Sequence, residues 1–322
     1  MGKVSAISWT RSTFNPWIGC TKVGPGCDHC YAEALDARHR YGNATHWGNG
    51  VPRHRTTASY WAKPLHWNKI AAMEKENGSC VSGSGKRGKH ASGIPAEVWH
   101  APGFWPVFPS LCDPFDNEVP REWLIDFIGL IRATPHLTWL LLTKRIGNAE
   151  KMMPEIAIFQ NVWLGGSIVN QEEADRDIPK LLVVPAAKRF VSYEPALGPV
   201  DWRQIPVPGT HGDMCDLREI DQIIVGGESN QGGAKARPFN VEWAYSTLRQ
   251  CRAAGVACFI KQLGSNCAYA GDRHPWFQGR YDQAAVADYD GVRQLKDRAG
   301  ADPSEWPYDL RVQEFPITKD RP

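Results

Sequence analysis

No apolar run in this 322-residue chain approaches the roughly 20 residues that a bilayer-spanning helix needs, which excludes a helical membrane protein. The opening MGKVSAISW has no apolar segment of the secretory type, and Ala6 breaks the Met-Gly-x-x-x-Ser/Thr pattern for myristoylation. An even cysteine framework is missing too. Nine cysteines speak against a secreted disulfide scaffold, so a reducing, cytosolic setting is expected. Charge of one sign is also lacking: 37 Lys and Arg against 35 Asp and Glu leave a net charge of +2. No general field attracts nucleic acid, and any such partner must meet a local basic patch. What the chain does have is 42% hydrophobic residues, enough for a buried core in one large or two small domains.

The chemistry concentrates between Cys20 and Ala32. Cys20, Cys27 and Cys30 form a Cys-x6-Cys-x2-Cys pattern on a turn that Gly24, Pro25 and Gly26 fold back, just ahead of the helix-forming AEALDARHR. Three thiolates from one loop suit a soft metal. On a four-iron four-sulfur cluster they leave one iron without a protein ligand, open to a small molecule. A structural zinc site with His29 or His54 as fourth ligand is a second reading, although no later Cys-x2-Cys or His-x3-5-His supplies the usual second knuckle. The third reading is that the thiols are reduced core residues. That is the expected fate of most of Cys80, Cys112, Cys215, Cys251, Cys258 and Cys267, which are scattered along the chain.

Residues 7–19, ISWTRSTFNPWIG, read as a short first strand delivering the cysteine loop, followed by a helix from about Asp28 to Tyr41 that Gly42 ends. Arg53 and Arg55 read equally as solvated surface or as an anion site. Residues 77–94, NGSCVSGSGKRGKHASGI, are rich in Gly, Ser and basic residues and are expected to form a mobile surface insertion. From Trp105 onward, strand-like runs alternate with helical ones: WPVFPSL, PREWLIDFIGLIRA, TWLLLTK, IGNAEKMM, VWLGGSIV, QEEADRDIPKLLV, KRFVSYEP, QIIVGG, VEWAYSTLRQCRAAG and ACFIKQLG. Such alternation predicts an α/β fold of about seven parallel strands in a TIM-like barrel or partial barrel over residues 1–268, with 269–322 as an extension packed on it.

In such barrels function gathers at the carboxyl ends of the strands. There the sequence places Cys112, Asp113, Asp116, Lys144, Arg145, Ser167, Asn170, Tyr193, Glu194, Gly226, Gly227, Glu228 and Lys261, together with the cysteine loop. Each polar residue taken alone reads equally as a helix cap or solvated loop. Lys144 and Arg145, ending an apolar strand, call for an anion.

The cysteine loop with LLLTKR, GGSIVNQ, RFVSYEPALGPVD, IIVGGES, FIKQLG and the DLRVQEFP tail resembles a phage-associated family of three-cysteine-motif proteins of uncharacterised function. That family is similar to radical S-adenosylmethionine (SAM) enzymes of the spore photoproduct lyase type, through Cys27-Asp28-His29-Cys30-Tyr31-Ala32 and Thr143-Lys144. The resemblance implies a partial (β/α)6-type barrel with a 4Fe-4S cluster on Cys20, Cys27 and Cys30. SAM would bind the open iron, Lys144 would pair with its carboxylate, and Ser167 and Asn170 would approach the ribose. Glu194 or the Gly226-Gly227 backbone would complete the pocket, and Asp113 or Asp116 would take the amino group. A 5′-deoxyadenosyl radical and an electron donor such as flavodoxin or ferredoxin are implied as well. Cys112 is then a candidate hydrogen-atom donor, with Tyr193 as a second candidate catalytic residue. This sequence departs from the superfamily in its first cysteine gap of six residues, where three is usual, and in the absence of a Gly-Gly-Glu after the second strand. The substrate expected is a base in DNA or RNA, with Trp47 and Trp61 as candidate stacking platforms. The alternatives are a non-enzymatic zinc or iron-sulfur protein that binds nucleic acid, and a radical enzyme acting on a peptide or metabolite.

Overall fold

Short apolar runs bounded by turn residues become the strands of one parallel sheet in the computed structural model, which describes residues 5–38, 44–78, 101–268 and 295–316. The elements in chain order are β1 (Ser12–Thr13), α1 (Tyr31–Asp36), α2 (Ala58–Asn77), β2 (Pro106–Phe108), α3 (Arg121–Arg132), β3 (Thr138–Thr143), α4 (Ala149–Met152), β4 (Val162–Ser167), α5 (Gln171–Val183), β5 (Lys188–Tyr193), β6 (Gln222–Gly226), α6 (Val241–Ala254) and β7 (Ala257–Gln262). Strand order in the sheet is chain order, β1 through β7, with every pairing parallel. The sheet curls into a half-barrel. All its carboxyl ends therefore meet at one mouth.

Because side chains alternate along a strand, the sheet builds two cores. Inside the curl pack Trp9, Phe108, Leu140, Trp163, Phe190, Ile224 and Phe259, each such side chain contributing about 1.5–3 kcal/mol when fully buried. Gly165 belongs to this interior, since a β-carbon there would collide with the Phe190 ring. The outer face packs against the helices, whose apolar residues recur at helical spacing: Leu124, Phe127, Ile128 and Ile131 on α3, and Val241, Ala244, Leu248 and Cys251 on α6. Asn170 caps α5 by accepting the Glu173 N–H at 2.9 Å, and Gly255 ends α6 with φ of 70°.

Residues 312–315 cover the free edge of β7. Ile260 donates its N–H to Val312 O at 2.8 Å, Glu314 donates to Cys258 O at 3.0 Å, and Phe315 enters the inner core. An edge strand left bare would invite pairing with another chain.

Two local expectations differ from the structure. The first strand is two residues long, because Asn15 and Pro16 turn the chain away and Trp17–Ile18 pair antiparallel with His54–Arg55. The first helix begins at Tyr31 rather than Asp28: Pro25–Cys27 form a 3₁₀ turn, and Cys30 is extended with ψ of 118°. Between β5 and β6, where the sequence offers no helical run, the chain forms only the single 3₁₀ turn Leu217–Glu219. The insertion expected at 77–94 lies, beyond Gly78, outside the described residues, as do 269–294 of the expected extension. Among the described residues no helix is long and apolar enough to cross a membrane.

Candidate functional site

The cysteine loop leaves β1 alongside the end of β2, with Gly19 donating its N–H to Leu111 O at 3.1 Å and pairing with Cys112. It then folds back across the mouth. Gly24 and Gly26 permit this, since β-carbons there would come within 2.8 Å of the Glu173 carboxylate and of Val169. The segment after Cys20 is fixed by Arg53, which is buried and bonded to Asp116 at 2.7 Å, Thr21 Oγ1 at 2.6 Å and the carbonyls of His46, Gly48 and Val51. Arg53 is therefore neither solvated surface nor open to an external anion. Arg55 is a surface residue, paired with Asp126 at 2.5 Å and lying over Trp61.

Folding back brings the three thiols into one cavity of about 130 Å³ at the mouth. Of the residues the sequence places at the mouth, Cys20, Cys27, Cys30, Cys112, Asp113, Lys144, Arg145 and Ser167 line it, with Tyr31, Trp47, Phe108 and Leu142 among the remaining walls. Tyr31 donates its hydroxyl to Ser110 O at 2.5 Å. Lys144 donates to the Ser167 hydroxyl and forms no ion pair among the described residues. Among the described residues, the cation presented to the cavity thus has its one short side-chain bond to a neutral group. Glu173 stands behind the loop; burial pushes its carboxyl up, and the field of Lys144 only partly offsets that.

Asp113 organises this wall. Its Oδ1 accepts from Thr143 Oγ1 at 2.7 Å and Phe115 N at 2.9 Å, and its Oδ2 from Lys144 N at 3.1 Å and Arg145 Nη1 at 2.9 Å. Arg145 also donates to the Cys20 sulfur at 3.3 Å and to Thr21 O. The anion that Arg145 needs is therefore supplied by the chain itself, and only Lys144 keeps the expectation of a bound one. Burial works against the Arg145 charge, but Asp113, Cys20 and Asp116 hold it firmly protonated. Burial and then Asp113 push the Cys20 thiol up to about 12. Burial likewise raises Cys30, and lifts Cys112 well above the ordinary thiol value. Burial thus favours the neutral thiols, and a cation bound by Cys20 and Cys30 would displace the protons of those two.

The other candidates form the frame around the cavity. Asn170 is spent as a helix cap. Tyr193 is fully buried, packs edge-on against Trp202 and donates its hydroxyl to Gly198 O. Glu194 lies across Gly226 to reach Lys261 at 2.5 Å, and a β-carbon on Gly226 would meet Glu194 Oε1 at 2.7 Å. Gly227 is pressed against Leu263, with its N–H and carbonyl both bonded to Gln262. His29 turns to Glu228 at 2.9 Å and His54 lies tilted beside His46, so neither proposed fourth zinc ligand lines the thiol cavity. Among the described residues no three His, Cys, Asp or Glu side chains converge closely enough to hold a single metal ion. What unites the thiols is the shared cavity.

One network escaped the sequence reading. Glu228, after β6, accepts from Arg237 at 2.7 Å and from the His29 ring, and Arg237 reaches Asp28 at 3.1 Å. Both residues between Cys27 and Cys30 are thus tied to the far side of the half-barrel. The signal was weak: a Cys-x2-Cys interior of Asp-His reads as solvated loop until its partners, some 200 residues away, are placed. Of the stacking candidates, Trp47 lines the cavity, whereas Trp61 packs beside Phe14 and the outer core.

An α/β half-barrel with a three-thiol loop closed over its carboxyl mouth is the class of protein these elements define. The chain belongs to the DUF5131 family, described as a protein of unknown function, which it matches over residues 4–300. No curated protein and no solved structure matched it.

Proposed function

We propose that this protein is a radical SAM-type iron-sulfur enzyme, built on a partial (β/α)6-type barrel, that modifies or repairs a nucleic-acid base. The observation that carries the reading is the single cavity shared by Cys20, Cys27 and Cys30, with Lys144 beside them lacking an ionic partner among the described residues. The donor set fits the group: three soft ligands from one loop, with an N–H of Arg145 directed at one sulfur, is the surrounding an iron-sulfur cluster takes. When bound, cluster and SAM together supply a 5′-deoxyadenosyl radical, and the protein's task is to hold and shield them.

The chain's own residues divide that task. Lys144 and Ser167 offer a charged and a neutral donor to a carboxylate and a ribose. Asp113 and Arg145 fix the turn that carries Lys144, and Asp113, its oxygens all engaged, serves as scaffold rather than as a partner for the amino group. Trp47, Phe108 and Leu142 exclude water from one side. Cys112, kept as a neutral thiol by burial, stands on the same cavity where a hydrogen atom could be given to a substrate radical.

The test is anaerobic reconstitution with iron and sulfide, then incubation with SAM and dithionite. Brown protein should release 5′-deoxyadenosine, and the Cys30→Ala protein should not. With a nucleic-acid substrate, Cys112→Ala should still cleave SAM while losing product. Stoichiometric zinc without iron, or loaded protein that neither binds nor cleaves SAM, would overturn the proposal.

A further inference from the structure

A second cleft, of about 270 Å³, adjoins the thiol cavity and shares a wall with it, because Lys144 and Arg145 line both. Its opposite wall is α5, from which Arg176 and Lys180 project one turn apart with Asp177 between them. Like charges on one helix face repel, and Asp177 relieves them: Oδ1 accepts from Arg176 Nε at 3.1 Å and Lys180 Nζ at 2.9 Å, and Oδ2 from Arg176 Nη2 at 2.5 Å. That carboxylate is saturated and lies beneath its partners. Its side chain is 9% exposed, against 48% for Arg176 and 47% for Lys180. Glu173, 3.7 Å from Arg176, is likewise only 10% exposed. The charges presented to solution are therefore cationic, although the carboxylates beneath nearly balance them. Asn117, on the rim, accepts from Asn148 through its carbonyl and so has its amide hydrogens to offer.

A donor-rich, cationic cleft beside a cavity walled by Trp47, Phe108 and Leu142 suits a ligand that is anionic at one end and flat and partly apolar at the other. We propose that the cleft is a phosphate subsite that holds the backbone of a single-stranded nucleic acid while a neighbouring base is presented to the mouth of the thiol cavity. This rests on the nucleic-acid reading above. A single strand is specified because a base must leave its stack to reach a buried reactive centre.

The experiment is fluorescence anisotropy of labelled single-stranded DNA and RNA oligonucleotides with the full chain, iron-free and iron-loaded, at about 50 and 200 mM salt. Each phosphate contact on a single strand adds about 0.7 to the slope of log affinity on log salt. Losing two contacts in Arg176→Gln/Lys180→Gln should flatten that slope by about 1.4, so the wild type should lose roughly sevenfold more affinity over this salt range than the variant. Adding Asp177→Asn removes the carboxylate left unpaired and should give the same result in a stably folded protein. The swap Arg176→Lys/Lys180→Arg should keep the wild-type slope. Equal slopes in wild type and the Gln variants would overturn the proposal. So would adenosine monophosphate or polyglutamate competing as well as an oligonucleotide at equal charge, which would assign the cleft to a free nucleotide or to an acidic protein. Iron content and SAM cleavage are read separately, so failure of the radical chemistry is distinguishable from failure of this subsite.

Discussion

Removing Asp113 tests the internal logic of the site most directly. The Asp113–Arg145 pair is 7% and 8% exposed and closes at 2.9 Å, with four donors converging on the carboxylate. Asp113→Ala leaves the Arg145 guanidinium buried with Asp116 at 3.9 Å as its remaining carboxylate. Breaking a buried pair from one side costs about 3–5 kcal/mol, a large fraction of the roughly 5–15 kcal/mol that holds a domain folded. Arg145→Ala should cost less, about 1–3 kcal/mol, because Thr143 and two backbone N–H groups still satisfy Asp113. The double variant should then be less destabilised than the sum by about 1–3 kcal/mol, since neither charge is left alone. Asp113→Asn should resemble Ala more than Asp, because its amide must face the Lys144 N–H and Arg145 with a donor or give up Thr143. The assay is urea unfolding in reducing buffer, paired with the labelling rate of Cys20 by a thiol reagent, which should rise once the Thr143–Arg145 turn loosens. Single-variant costs that add within about 0.5 kcal/mol, or an Asp113→Ala cost below about 1 kcal/mol, would refute the reasoning.

Other expectations follow from the same geometry. Lys144→Met should weaken SAM binding by calorimetry about tenfold to over a hundredfold while iron content is unchanged, the loss expected for a charge-assisted hydrogen bond; unchanged affinity would remove Lys144 from the site. Gly165→Ala should lower the melting temperature through overpacking against Phe190, at about 1–3 kcal/mol, with Phe190→Leu giving partial rescue; an unshifted transition would mean the ring can yield. Burial raises the Glu228 carboxyl, but Arg237 and His29 outweigh it and hold it below its ordinary value. A depressed folded value means stability that is present above the unfolded value of about 4.5 and lost as pH falls through the folded one. Wild type should therefore lose more stability than Glu228→Gln between about pH 6 and pH 3.5, and parallel losses would show that the clasp on the cysteine loop carries no net charge effect.

Much of the frame was legible from local pattern. The runs TWLLLT, VWLGGS and KRFVSY are strands because apolar β-formers end at turn residues, and their alternation with helical segments leaves parallel pairing as the economical arrangement. That the polar residues after each strand would face one mouth follows from parallelism alone. The grouping of Cys20, Cys27 and Cys30 was visible because one short loop carries all three.

Only the tertiary structure decided which of the polar residues at the mouth are free to act. Lys144 and Arg145 are neighbours of like charge and equal promise in the sequence; Asp113, some 30 residues away, takes Arg145 and leaves Lys144 with a hydroxyl. Asn170 and Tyr193 sit at the right ends of the right strands yet spend their polar atoms on a helix cap and a core carbonyl. Asp28 and His29 gain partners in Arg237 and Glu228 only because the curl of the sheet brings β6 over the loop that follows β1. Secondary structure is written in spacing, which each segment carries alone. Availability of a charge is a matter of partners, and partners distant in sequence exist only once the chain has folded.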